Sequence, residues 1–134
     1  MNDEDQRHMR KALRLLQSVE RRAESDQPET VVSTAYYAMF HAACAVVLQH
    51  QHRLPKTHSS LIGQFGLLVR DRGAEDREFG SMLHEAFNLR FVGDYSIEEE
   101  IGRTNATDAR DHARAFIAYC RKLKREAKRS ASPK

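Results

Sequence analysis

Residues 33–50 read STAYYAMFHAACAVVLQH. From Ala35 to Leu48 the apolar run is broken only by His41. Three readings compete for it: a membrane segment, a helix carrying catalytic groups, or the buried spine of a small bundle. The run falls short of the roughly 20 residues that a bilayer-spanning helix needs. Two adjacent tyrosines and a histidine give it polar tips, and an unpaired buried hydroxyl costs roughly 1–3 kcal/mol. Tyr36 and Phe40 lie one helical turn apart, as do Tyr37 and His41, so two faces of the helix carry these tips. The stretch reads as mostly core, with each tyrosine requiring a partner or an interface.

The surrounding chain supports a helical core. Its 134 residues suffice for one domain with its own interior. The composition is 40% hydrophobic and 31% charged, as expected of a globular chain, with only 3 prolines and 6 glycines to interrupt helices. The polar start, MNDEDQRHMR, is unlike a signal peptide. A cytoplasmic protein with no membrane association is expected. Cys44 and Cys120 fall in apolar helical patterns and form no CxxC pair, which reads as two buried free thiols or a helix-to-helix disulfide. The net charge of +3 is uneven: the segment RKLKREAKRSASPK is strongly basic, so the remainder is acidic. That end either touches phosphates or complements a helix macrodipole at its C-terminus.

Apolar periodicity places five helices, at about 3–24, 28–50, 58–70, 75–92 and 105–127. Pro28 suits the first turn of the second helix, and Thr57 or a neighbouring serine suits the cap of the third. Gly63 and Gly66 are expected where another backbone comes close. Gly73 should end the third helix and Gly93 the fourth. Ser96 and Glu99 suit a short capped turn in the polar segment that follows. No strand signal and no internal repeat is present. The fold class is all-α, an antiparallel up-and-down bundle of about five helices. Residues 1–128 form the domain, and 129–134 are expected to be a disordered basic tail.

The most unusual polar arrangement is NLRFVGDY, residues 88–95. Arg90 falls on the apolar stripe of the fourth helix, where a guanidinium needs a partner or an anionic ligand. Asp94, four residues on, can accept a charge-assisted bond from it. Tyr95 adds a hydroxyl. The cluster reads either as a salt bridge pinning the helix exit or as a phosphate site. His50, His52 and His58 flank one loop, but no carboxylate or thiol completes a metal set there, and Glu98–Glu100 read as a solvated run. Neither a metal nor a cofactor is expected. Phosphate-loop and nucleophile-elbow motifs are missing.

STAYYAMFHAA, KTHSSL and LHEAFNLRFVGDY together resemble the HEPN superfamily (higher eukaryotes and prokaryotes nucleotide-binding), over about residues 5–125. The resemblance implies a helical bundle that usually dimerises. It also implies pairing with a small nucleotidyltransferase in a toxin–antitoxin couple. Active members are metal-independent endoribonucleases, marked by an Arg and a His with four to six residues between them, a spacing that carries weight only in its structural context. Such a pair suits cleavage by the RNA's own 2′-hydroxyl, which needs an acid or base and a cation on the phosphorane.

Here Arg90 matches the arginine, but Tyr95 stands where the histidine would, and Thr34 replaces a basic residue often found before the AYY. Arg53–His58 and Arg77–His84 fit the bare spacing away from the family position, and His84 is a reserve candidate. By this resemblance the catalytic candidates are Arg90 and Tyr95, and the nucleotide- or RNA-binding candidates are Arg90, Asp94, Tyr95, Tyr37, His41 and His58. Tyr95 is also a candidate acceptor of a transferred nucleotide. Three functions follow: an RNA- or nucleotide-binding module with a nucleotidyltransferase partner, a ribonuclease toxin, or a structural homodimer.

Overall fold

The structure is a computed structural model and describes residues 3–131. Five helices account for it: α1 (Glu4–Arg22), α2 (Pro28–Gln51), α3 (His58–Arg70), α4 (Ala74–Tyr95) and α5 (Arg103–Ala131). No strand occurs among the described residues. Charge placement follows the helix dipoles: Glu4 and Asp5 open α1, and Arg21 and Arg22 close it. Pro28 occupies the first turn of α2. Thr57 caps α3, its Oγ1 accepting the Ser60 N–H at 3.0 Å. Gly73 precedes α4 at φ +145°, a backbone region that disfavours side chains.

Helix α2 packs against all four other helices. By length and composition it would span a bilayer, yet 72% of its apolar window is buried inside the protein. It is therefore the spine of the bundle. Helices α1, α4 and α5 close around it, and with α2 they run up and down in turn. At one end of the α1–α5 pair, Lys124 bonds Asp5 at 2.5 Å; at the other, Arg103 donates to the Ala23 carbonyl at 2.7 Å. These two ties fix α1 and α5 as antiparallel. Helix α3 runs beside α2 in the same direction. His58 at its start stacks on Phe40 with centroids 4.0 Å apart, while Leu68 near its end lines a cavity with Val46 and Gln49. The interior is closed by Tyr36, Phe65 and Phe116, all fully buried, with Phe65 and Phe116 in ring contact at 5.2 Å. Both cysteines are buried and free.

Three local expectations change. Helix α4 does not stop at Gly93 but continues to Tyr95 and is capped at Ser96. A Cβ at Gly93 would stand 3.3 Å from Ile101 Cγ1 and 3.8 Å from Glu29 Cβ, so this glycine admits a close approach rather than ending a helix. Helix α5 starts earlier, at Arg103, and reaches Ala131. Residues 129–131 of the expected tail are therefore helical, while 132–134 lie outside the described residues. A Cβ on Gly63 would meet open space, so no backbone comes close there; at Gly66 one does, but the crowded position is its neighbour, since a Cβ on Gly80 would stand 3.4 Å from the Gly66 Cα. In the 96–102 segment, Ser96 Oγ accepts the N–H groups of Glu98 and Glu99.

These glycines make opposite predictions. Gly63→Ala restricts the unfolded chain and meets no neighbour, so stability should rise by about 0.5–1 kcal/mol. Gly80→Ala drives a methyl to 3.3 Å from Val69 Cγ2 and 3.4 Å from backbone and should show no gain or a loss. Urea unfolding of the two variants beside wild type measures both.

Candidate functional site

The site follows from the burial of α2. Tyr36 is fully buried, yet its hydroxyl lies 2.7 Å from His58 Nδ1. The adjacent Tyr37 accepts a hydrogen bond from Arg90 Nη1 at 2.9 Å through its hydroxyl oxygen. Three helices thus contribute: Tyr36 and Tyr37 from α2, His58 from the first turn of α3, and Arg90 from the last turns of α4. The guanidinium of Arg90 lies 5.4, 5.5 and 5.8 Å from the ring centroids of Tyr36, Tyr37 and Phe87, and this aromatic collar holds the cation by ring quadrupoles.

Arg90 retains donor capacity. Its side chain is only 16% exposed, and Asp94 Oδ2 approaches Nη1 at 3.5 Å, a long contact on a partly open carboxylate. Nε is buried with no hydrogen-bond partner among the described residues. A buried, half-satisfied guanidinium is costly for structure alone and suits an oxyanion. His58 is neutral by environment: burial first, and the Arg90 charge second, hold its pKa below the usual 6.5. Burial likewise pushes the Tyr36 phenol up, although Arg90 opposes it. The His58 ring offers Nε2 as an acid, a base or a hydrogen-bond donor, depending on tautomer.

A groove of about 680 Å³ lies between α3 and α4; none of Tyr36, Tyr37, His58 and Arg90 lines it. Its wall includes Gly63, Gly66, Arg70, Arg77 and His84. Ser59 and Phe87, the neighbours of His58 and of the Arg90 guanidinium, stand at one side of it. Arg77 and His84, an Arg–His pair by spacing alone, belong to this groove and not to the Arg90 cluster; His84 contacts Asn88 at 3.5 Å.

The site residues expected from sequence divide by this geometry. Arg90, Asp94, Tyr37 and His58 are brought together. Tyr95 is not: five residues past Arg90 it lies about 140° around the helix, and its ring, 67% exposed, packs on Phe91 at 4.7 Å. His41 faces α1 instead, where its Nδ1 lies 2.9 Å from His8 Nδ1. Burial, reinforced by His8 and Lys11, lowers the His41 pKa to about 4. Sequence reasoning missed Tyr36 as the link between His58 and the cluster. It also missed the grouping of His8, His41 and Cys44, whose ligand atoms lie within 4.8 Å of one another. The His41–Cys44 spacing was a signal for the second, but nothing in the sequence pointed to His8.

The family profile of the HEPN domain matches residues 6–123. A UPF0332 protein of Archaeoglobus fulgidus is 36% identical over 115 residues, spanning 86% of this chain and 90% of its own. A UPF0332 protein of Gloeobacter violaceus is 32% identical over 118 residues, 88% of each chain. A protein of Methanocaldococcus jannaschii named as a candidate toxin is 35% identical over 68 residues, 51% of this chain and 50% of its own.

The depressed His58 pKa sets a pH dependence. Above the free value of 6.5 the ring is neutral folded or unfolded. As pH falls through that value, the unfolded chain takes the proton first, so stability is lost toward the folded pKa. The urea midpoint should therefore drop between about pH 7 and about pH 5. The drop should shrink but persist in His58→Gln, because His8 and His41 are lowered in the same direction. An unchanged pH slope in His58→Gln would contradict this assignment.

Proposed function

The chain belongs to the HEPN family, and on that premise we propose that it is the RNA-directed member of a toxin–antitoxin-type pair, binding a phosphodiester at Arg90. The observation that carries this reading is the Arg90 guanidinium: buried among aromatic rings, joined to Tyr37, and with Nε left unpartnered. The buried Nε marks the guanidinium as under-satisfied; a phosphate oxygen would meet it at the Nη edge of this 16% exposed side chain, and a bidentate guanidinium contact is the strong form of that bond. The neighbouring groove carries Arg70 and Arg77, with Glu85 as its one carboxylate, and its two guanidinium groups suit an RNA backbone. The relative named as a candidate toxin supports a toxin-type role. Pairing with a small nucleotidyltransferase and assembly as a homodimer are what the family resemblance implies. Co-expression and co-purification with a small nucleotidyltransferase tests the first, and sedimentation of the isolated protein tests the second.

A second reading, RNA cleavage without metal, is favoured by His58. The histidine missing from the sequence motif after Arg90 has a spatial substitute, held by Tyr36 and stacked on Phe40. In this reading neutral His58 takes the 2′-hydroxyl proton while Arg90 stabilises charge on the phosphorane. Tyr95, turned away from Arg90, has no role in this step.

Single-stranded RNA incubated with the protein in EDTA tests both. Arg90→Ala should weaken binding by about 10–100-fold, the loss of one charge-assisted contact of roughly 1.5–3 kcal/mol. Gly63→Phe, which fills the groove, should weaken binding too, whereas Tyr95→Phe should leave it unchanged. Equal binding by wild type and Arg90→Ala refutes the phosphodiester site. Cleavage by wild type, abolished in both Arg90→Ala and His58→Gln, would establish the nuclease; binding with no cleavage would reject it and keep the binding module.

A further inference from the structure

A second cluster of chemically capable side chains stands apart from Arg90, where α1 crosses α2. His41 and Cys44 lie three residues apart on α2 and so share a face. His8 of α1 projects against that face. The two imidazoles meet through the same ring nitrogen, Nδ1 to Nδ1, at 2.9 Å, with ring planes 24° apart and centroids at 5.1 Å. Cys44 is fully buried beneath them, and both histidines are half-buried. One ligand atom from each of the three lies within 4.8 Å of the other two.

We propose that His8, His41 and Cys44 form a binding site for one zinc-class transition cation that clamps α1 to α2. In a tetrahedral N₂S site with Zn–N near 2.0–2.1 Å and Zn–S near 2.3 Å, ligand atoms stand about 3.3–3.6 Å apart. The two nitrogens at 2.9 Å and the three ligand atoms all within 4.8 Å of one another stand close to that spacing. Two nitrogens meeting at 2.9 Å hold at most one proton between them; a cation satisfies both lone pairs and draws in the thiolate as well.

The donor set selects the ion. Imidazole and thiolate suit zinc and its borderline-soft neighbours, not magnesium or calcium. The shallow opening beside the histidines carries Arg7, Lys11 and Arg14, whose charge opposes any divalent cation. Affinity here must come from metal–ligand bonding. Glu4, one turn before His8 on α1, lines the same opening. When the ion binds, the Cys44 thiol proton is released to solvent and a sulfur–metal bond forms. The site is independent of the Arg90 reading and survives its failure.

The experiment uses the full chain without a polyhistidine tag, stripped with chelator and titrated with Co²⁺, followed by Zn²⁺. The expected result is one Co²⁺ per chain with a thiolate-to-cobalt charge-transfer band in the near ultraviolet, displaced by Zn²⁺. Tm should rise with Zn²⁺ and not with Mg²⁺. Cys44→Ser and His8→Gln should lose the band, and Cys120→Ser should keep it. His8 is only half-buried on a surface helix, so His8→Gln is the variant that decides if Cys44→Ser fails to fold; circular dichroism confirms its helix content. Absence of the band in wild type overturns the site, as does its persistence in folded Cys44→Ser. An equal Zn²⁺-induced Tm rise in wild type and His8→Gln overturns it too.

Discussion

Helix α2 has almost no solvent face. Its apolar residues fill the centre of the bundle, which is why four other helices can close around it. The same burial leaves its polar tips without water, and a buried polar group must find a partner within the protein. Each tip does so through a different neighbouring helix. Tyr36 reaches His58 of α3, Tyr37 reaches Arg90 of α4, and His41 reaches His8 of α1. The demand of one buried helix for hydrogen-bond partners thus assembles both chemically distinctive clusters of the molecule.

That constraint also separates the two clusters. Tyr37 and His41 lie one turn apart, but one bonds α4 and the other α1. A guanidinium facing an aromatic collar and a pair of facing imidazoles are therefore near in sequence yet distinct in chemistry. The first offers donors to an oxyanion. The second offers lone pairs, with a thiol beneath, to a cation. Helix α4 is the least buried of the framework, with Leu83 its only fully buried residue. Arg90 is accordingly set at the edge of the core, 16% exposed, where a charged group is held by rings.

Much of this was legible in the primary structure. The apolar run at Ala35–Leu48 marked the spine. Thr57, Pro28 and Gly73 marked helix boundaries, because caps and turns are local chemistry. The apolar stripe that includes Arg90 marked a guanidinium in need of a partner, and the segments around residues 33–43, 56–61 and 83–95 carried the family resemblance that the HEPN profile match bears out. Where local reasoning failed, a tertiary contact decided. Gly93 has the chemistry of a helix stop, but the approach of Ile101 and Glu29 gives it another role and lets α4 run on to Tyr95. That extension fixes Tyr95 on the side away from Arg90.

Periodicity in the chain determined that five helices form, which faces turn inward, and that Arg90 and the α2 tyrosines are polar groups drawn into an apolar setting. These are properties of residues within one turn of each other, so spacing alone reveals them. The tertiary structure alone decided the partners. His58 stands 22 residues from Tyr36, Arg90 53 residues from Tyr37, and His8 33 residues from His41. No local spacing encodes those distances; they are set by how helices pack around α2, with α3 carried back alongside it in the same direction. Packing is a property of the whole bundle, and it put His58 near an arginine that has no histidine at the motif spacing after it in sequence.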